Sequence, residues 1–223
     1  MTEASQIPKA TLIPMTAQTG EETALCAFLK SGRDLVARDE PDTVYWYALQ
    51  QEGSAREIAI FDLFTGQAGR EAHFNGGVAA ALADKAAALV QGGWDSGVVA
   101  NVEHFNTLAA KLPQSKVALT KATRIALQAV PGQADALAKF LKQGCDLVIE
   151  GEPLTLVWLA LQSEADDHRF AIIDLFADQE GRDTHFAGAV ATALKQNAEA
   201  LVVGGWSDGV LSNVAHYDVV AAK

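Results

Sequence analysis

A shift of 112 residues lays positions 11–111 of this 223-residue chain over 123–223 without a gap, at about half identity. Self-similarity at a fixed period constrains architecture more than any local motif does. This period is too long for a solenoid turn and suits a small domain duplicated once. The chain therefore reads as residues 1–112 and 113–223, each able to bury a modest core. The stretch "KLPQSKVALTK", Lys111 to Lys121, is the expected joint.

Within one copy the periodicities define the elements. Leu25, Phe28, Leu29, Leu35 and Val36 recur at helical spacing, as do Leu137, Phe140, Leu141, Leu147 and Val148. Gly20 and Pro131-Gly132 punctuate the turn ahead of that helix, and Glu40-Pro41 and Glu152-Pro153 end it, because a residue before proline is pushed out of the α region. "TVYWYALQ" with "IAIFDLF", and "TLVWLALQ" with "FAIIDLF", are rich in β-branched and aromatic residues and predict an antiparallel hairpin across a short polar loop. A second helix is expected from about Gln67 to Gln91, stopped by Gly92-Gly93. With opening strands "ATLIPMTA" and "ATRIALQA" and closing strands "GVVANVEHF" and "GVLSNVAHY", the order is βαββαβ, an α+β ferredoxin-like unit.

In "TVYWYALQ" both alternating sets, Tyr45/Tyr47/Leu49 and Val44/Trp46/Ala48, are largely apolar. A sheet with one wet face would alternate apolar with polar. The second face must be covered too, and the sheet of the other copy is the nearest cover. The expectation is two tandem units packed sheet to sheet as an intramolecular pseudo-dimer, with room for further homo-oligomers.

Charge and composition exclude several functions. A formal charge of −11 disfavours nucleic acid and anionic membrane as partners. No run of eighteen apolar residues spans a bilayer, and "MTEASQIPKA" lacks the apolar centre of a signal peptide. The two cysteines, Cys26 and Cys145, do not occupy matching positions, which excludes a repeated disulfide or metal frame and suits a reducing cytoplasm. With no HxH, HxxxH or Cys/His cluster, no metal is expected.

"DEPDTVYWYAL" and "IAIFDLFTGQAGREAHFNGGVAAAL", with their copies "GEPLTLVWLAL" and "FAIIDLFADQEGRDTHFAGAVATAL", resemble the antibiotic biosynthesis monooxygenase family of dimeric α/β barrels. The resemblance covers nearly the whole of each copy. It implies that two four-stranded sheets form a barrel around a hydrophobic pocket, here within one chain. Some members of that family oxygenate quinols, anthrones or other phenolics without metal or flavin, whereas others in the superfamily degrade haem or have no demonstrated chemistry. Haem degraders use an asparagine on the first strand and a tryptophan near the end of the third. Here the first strands hold no asparagine and the third end in Phe64 and Phe176, which speaks against haem breakdown.

"GREAHF" at 69–74 and "GRDTHF" at 181–186 place His73 and His185 two turns into the second helix. A neutral imidazole at a pocket mouth can deprotonate a phenol, with Phe74 or Phe186 walling it from water. The alternative is a histidine that only ties helix to sheet. Asp62 and Asp174 lie in apolar strands; burial would raise their pKa, but pairing with Arg70 or Arg182 near solvent is the expectation. Trp46 and Trp158 can stack on a flat substrate or simply fill core. Asn101 and Asn213 interrupt apolar strands and either orient a ligand or tie down a loop. His104 and His216, on the opposite face, read as surface or interface residues, and "GGWDSG" and "GGWSDG" read as turns. Taken with these residues, the resemblance implies a cofactor-independent monooxygenase that takes a small aromatic or quinol-like molecule and O₂. The competing reading is a non-catalytic barrel that binds an apolar ligand or serves in assembly.

Overall fold

A computed structural model describes residues 3–114 and 117–223, so Ser115 and Lys116 of the expected joint lie outside the described residues. The first repeat runs β1 (Lys9–Thr16), α1 (Glu22–Asp39), β2 (Thr43–Gln51), β3 (Glu57–Phe64), α2 (Gln67–Phe74), α3 (Gly77–Leu89), α4 (Gly93–Gly97) and β4 (Glu103–Lys111). The second runs β5 (Lys121–Gln128), α5 (Ala134–Gly151), β6 (Thr155–Ser163), β7 (Arg169–Phe176), α6 (Gln179–Phe186), α7 (Ala189–Leu201) and β8 (Val214–Ala222), with a π-helical turn at Gly205–Val210. The strands close into a barrel in the order β1-β3-β2-β8-β5-β7-β6-β4. The fold is α+β, two ferredoxin-like units forming a dimeric α/β barrel in one polypeptide.

Contacts divide the chain into two compact units, 6–104 with 217–223, and 1–5 with 105–216. Each unit takes its fourth strand from the other repeat. In the N-terminal unit β3 pairs antiparallel with β1 and β2, and β8 pairs with β2 from Tyr47↔Ala222 to Gln51↔Tyr217. In the C-terminal unit β7 pairs with β5 and β6, and β4 pairs with β6 from Phe105↔Ser163 to Lys111↔Trp158.

The helices cover one face of each sheet. In the N-terminal unit Leu25, Leu29 and Val36 of α1 and Val78, Leu82 and Ala86 of α3 pack on Ile13, Met15, Trp46, Ala48, Ile58 and Ile60. A Cβ at Gly32 would lie 3.1 Å from Val78 Cγ2, so this glycine lets α1 and α3 approach closely. Tyr47, Phe61 and Leu63, on the opposite face of β2 and β3, are buried as well, in line with the two-sided apolarity of the strands.

Three local expectations give way. The second helix is two helices, α2 and α3, parted at Asn75-Gly76. A Cβ at Gly76 would sit 2.7 Å from Glu40 Oε1, and one at Gly188 2.6 Å from Glu152 Oε1. A bare backbone at the break therefore makes room for a carboxylate from the end of α1 or α5. The "GGW" segments are not plain turns: after Gly92 and Gly204 in the left-handed region, the chain rewinds as α4 or the π-turn. Asn101 and Asn213 close 3₁₀ turns ahead of β4 and β8 instead of lying in a strand, because each side-chain amide turns back to a helical carbonyl.

Candidate active site

His73 is brought between two carboxylates by three elements. Glu40, the last residue before Pro41, caps the end of α1, where its backbone N–H bonds Val36 O. Its Oε2 lies 2.5 Å from His73 Nδ1, and Thr43 Oγ1 donates to the same Oε2 at 3.2 Å. On the other side of the ring, Asp62 Oδ2 of β3 lies 3.4 Å from Nε2. The second repeat rebuilds this set: Glu152 Oε2 at 2.5 Å from His185 Nδ1, Thr155 Oγ1 donating to that Oε2 at 3.1 Å, and Asp174 Oδ2 at 3.4 Å from Nε2.

A bulge aims the threonine. The β2/β3 register shifts between Thr43 and Tyr45, so Thr43 faces Phe64 and shares the helix-covered face with Trp46, which opposes Asp62. Without that extra residue, alternation would turn Thr43 away from the histidine. The same shift falls between Thr155 and Val157. A lysine then secures the helix end from outside the repeat. Lys223 Nζ donates to the carbonyls of Val36, Glu40 and Thr43 at 3.3, 2.7 and 2.5 Å, and Lys111 Nζ to those of Val148 and Glu152 at 3.2 and 2.7 Å.

Burial disfavours a charged imidazole, yet the flanking Asp62 and Glu40 outweigh it and push the His73 pKa up to about 10; Asp174 and Glu152 do the same for His185. Burial drives the Asp62 and Asp174 carboxyls above the ordinary range, against the pull of the histidines. Glu152 is held below its ordinary value, because His185 and Thr155 overcome the cost of its burial. At neutral pH each histidine is an imidazolium. The expectation that the aspartates pair with arginine near solvent is corrected here: Asp62 and Asp174 are fully buried against the histidines.

Each unit holds a cavity between sheet and helices, so the histidine opens on the helix-covered face of its own sheet. The N-terminal cavity, about 80 Å³, is walled by Trp46, Ile60, His73, Phe74, Val78 and Trp94 among others. Its counterpart, about 30 Å³, uses Trp158, Ile172, His185, Phe186, Val190 and Trp206. Eleven of the twelve lining positions carry the same residue in both repeats; the exception is Val99, replaced by Leu211. At about half identity overall, this agreement marks the cavity lining as a part of the repeat that has changed little. Phe64 and Phe74 pack around the imidazole at 5.5 and 5.7 Å, as Phe176 and Phe186 do at 5.5 and 5.6 Å.

His73, Phe74 and Trp46, with His185, Phe186 and Trp158, thus gather at the cavities, but Asn101 and Asn213 do not line them. Asn101 is exposed and its Nδ2 donates to Gly97 O at 3.0 Å, as Asn213 Nδ2 does to Gly209 O. His104 is not a plain surface residue: its Nδ1 lies 3.0 Å from Thr11 Oγ1 and its ring meets Phe74 edge-on. Glu40, Glu152, Thr43 and Thr155 escaped sequence reasoning as site residues, since Glu-Pro reads first as a helix stop. Their retention in both copies beside the repeated "HF" was the available signal. Among the described residues, the grouping able to offer three ligands to a metal is Asp166, Asp167 and His168, on the β6–β7 loop away from either cavity. No described helix is long and apolar enough to cross a membrane.

No protein-family model and no curated protein matches the sequence. Solved structures do. A candidate monooxygenase from Fusobacterium nucleatum matches 97% of this chain and 94% of its own, at 12% identity and TM-score 0.81. An anthrone oxidase-like protein matches 99% of this chain and 94% of its own, at 12% identity and TM-score 0.62. A protein of unknown function from Nitrosomonas europaea is 38% identical over 50% of this chain and 99% of its own, with TM-score 0.43. These likenesses are of fold: the chain is similar to solved structures described as a candidate monooxygenase and an anthrone oxidase-like protein, and it carries two ferredoxin-like units as a tandem duplication within one polypeptide.

Proposed function

We propose that the chain is a cofactor-independent monooxygenase acting on a small phenol- or quinol-like molecule, with His73 and His185 as general bases. The observation that carries this reading is an apolar cavity whose one titratable lining residue is a histidine held by a carboxylate at Nδ1. In the neutral form, Nδ1–H donates to Glu40 and Nε2 accepts the phenolic proton, after which Asp62 and Glu40 stabilise the imidazolium. A phenol titrates near 10, and His73 near 10 as well, so the transfer is close to balanced. An ordinary histidine would leave it uphill by roughly 4–5 kcal/mol. The phenolate then reduces O₂: one oxygen atom enters the ring as a quinone carbonyl, and the other leaves as water with the ring hydrogen displaced there and the phenolic proton returned by the imidazolium. The substrate supplies all four electrons. Likeness of fold to an anthrone oxidase-like protein supports this class of chemistry. Trp46 and Phe74 offer faces for stacking.

Oxygen uptake with a panel of single-ring phenols and quinols tests the reading. His73→Ala/His185→Ala should slow turnover by about 10²–10⁴-fold. Undiminished uptake by the double variant would return both residues to a tethering role.

A second reading rests on one observation: both ring nitrogens already face carboxylates. In it the Glu-His-Asp set pins α1, α2 and β3 together, and the cavity holds an apolar ligand without chemistry. The parent would then consume no oxygen, and the double variant would lose folding stability instead.

A further inference from the structure

The two cavities share their lining yet differ in what holds them shut. Trp94 and Trp206 stand at matching places on the walls, each followed by a valine and then the single differing position, Val99 or Leu211. Both differing side chains are about half exposed, at 48% and 49%, so they stand at the rim. Leucine carries one more methylene across that opening.

The tryptophan is gripped in only one copy. Lys195 Nζ lies 6.0 Å from the Trp206 ring centroid, within cation–π reach. The backbone N–H of Trp206 donates to Glu199 Oε1 at 3.2 Å, and the Glu199 carboxylate packs against Gly205. The backbone there is wound as a π-turn, whereas Trp94 lies in an ordinary α-turn. At the positions matching Lys195 and Glu199 the first repeat has Ala83 and Ala87, whose methyl groups make neither bond. Three substitutions thus act in one direction, and the cavity they bound is the smaller, about 30 Å³ against about 80 Å³.

Size decides what enters. A dry aliphatic cavity of roughly 150 Å³ takes benzene, while a water needs roughly 10–15 Å³. The C-terminal cavity, about 30 Å³, holds no more than two or three waters. The N-terminal one, at about 80 Å³, is roughly half that benzene-binding volume, so a ring fits once one wall gives, and Trp94 lacks the lysine and glutamate contacts that hold Trp206. One of its lining residues also has an unmet demand: Trp46, fully buried, has an indole N–H with no hydrogen-bond partner among the described residues. Such a donor favours a ligand that brings an acceptor oxygen.

On the reading of the cavities as ligand sites, we infer that only the N-terminal cavity binds ligand, a single aromatic ring bearing an acceptor oxygen, while Lys195, Glu199 and Leu211 hold its C-terminal copy closed. Both sites retain the histidine set; access separates them, so in the parent His73 carries the turnover and His185 acts as a base only once its cavity is opened.

The four tryptophans stand two to a cavity, so each site reports on itself. Phenol is titrated into ¹⁵N-labelled full-length protein and the indole N–H signals are followed, assigned by single Trp→Phe variants. Trp46 and Trp94 should shift together while Trp158 and Trp206 stay. Lys195→Ala/Glu199→Ala/Leu211→Val should bring the C-terminal pair into the titration, and Ala83→Lys/Ala87→Glu/Val99→Leu should silence the N-terminal pair. If all four signals move in the parent with one midpoint, the inequality is wrong and the cavity reading stands. If none moves, both fall. C-terminal indoles that stay unmoved in the opened variant, its spectrum otherwise folded, would overturn the closure by these three residues.

Discussion

Glu40 Oε2 lies 2.5 Å from His73 Nδ1, at the point where α1 ends against Pro41 and α2 breaks from α3. The contact joins an imidazolium to a carboxylate inside an apolar unit, with Asp62 on the far side of the ring. Removing one partner of such a buried pair leaves a charge without compensation, at a cost of about 3–5 kcal/mol. Glu40→Ala should lower the unfolding free energy by that order in urea titrations, and Glu152→Ala likewise. A loss under about 1 kcal/mol would place this contact with solvent-exposed ion pairs.

The same contact sets a pH dependence. His73 and His185 titrate near 10 in the folded chain and near 6.5 when unfolded, so the folded state holds the extra proton across that window. The stability contributed is complete below about 6.5 and disappears as pH rises through about 10. The raised Asp62 and Asp174 act in the same sense. Thermal unfolding from pH 6 to 10 should show the parent falling more steeply than His73→Gln/His185→Gln. Parallel curves would contradict the assigned protonation.

Catalysis should run the other way. If neutral imidazole is the base, the reactive fraction grows with pH until the histidine has titrated near 10. Oxygen uptake on a phenol should therefore rise from pH 7 to 9 while stability declines. A rate that peaks near 6.5 would point to an unshifted histidine.

Lys223 tests the exchange of strands. Its three bonds, to two carbonyls at the end of α1 and one at the start of β2, are made from the end of the second repeat's last strand. Hydrogen bonds to a charged group are worth about 1.5–3 kcal/mol, so Lys223→Met should destabilise by about that much. Lys111→Met should do the same to α5, and the two losses should add, since the lysines cap different helices. Calorimetry on the two single variants and the double variant would check this.

A half-chain should not stand alone as a monomer. Residues 1–112 contain β2 without β8 and β4 without β6, leaving long unpaired edges. Two such halves can satisfy each other, because β4 and β8 derive from one ancestral strand. Light scattering should find a homodimer or aggregate; a stable, monodisperse monomeric half would refute the role of the exchanged strands.

The sequence by itself determined the duplication, the βαββαβ order, the burial of both strand faces, and the placing of one histidine beside a phenylalanine in each copy. All of these are written along the chain as period, alternation and punctuation. Only the tertiary structure decided what His73 meets. Glu40 lies 33 residues away and reads locally as a helix stop, and Asp62 meets the ring only because packing brings β3, the end of α1 and α2 to one point. Asn101 had a strand-like surrounding, yet its amide found a closer partner in the preceding turn. A repeat read in one dimension also assigns β4 and β8 to their own halves, whereas edge pairing is settled by whichever partner is adjacent in space. The inequality of the cavities was similarly hidden, since Ala83, Ala87 and Val99 acquire meaning only once Trp94 and Trp206 are seen to share one place in two folded units. Local chemistry is legible in order along a chain; contacts between distant segments depend on packing, and packing chose the site.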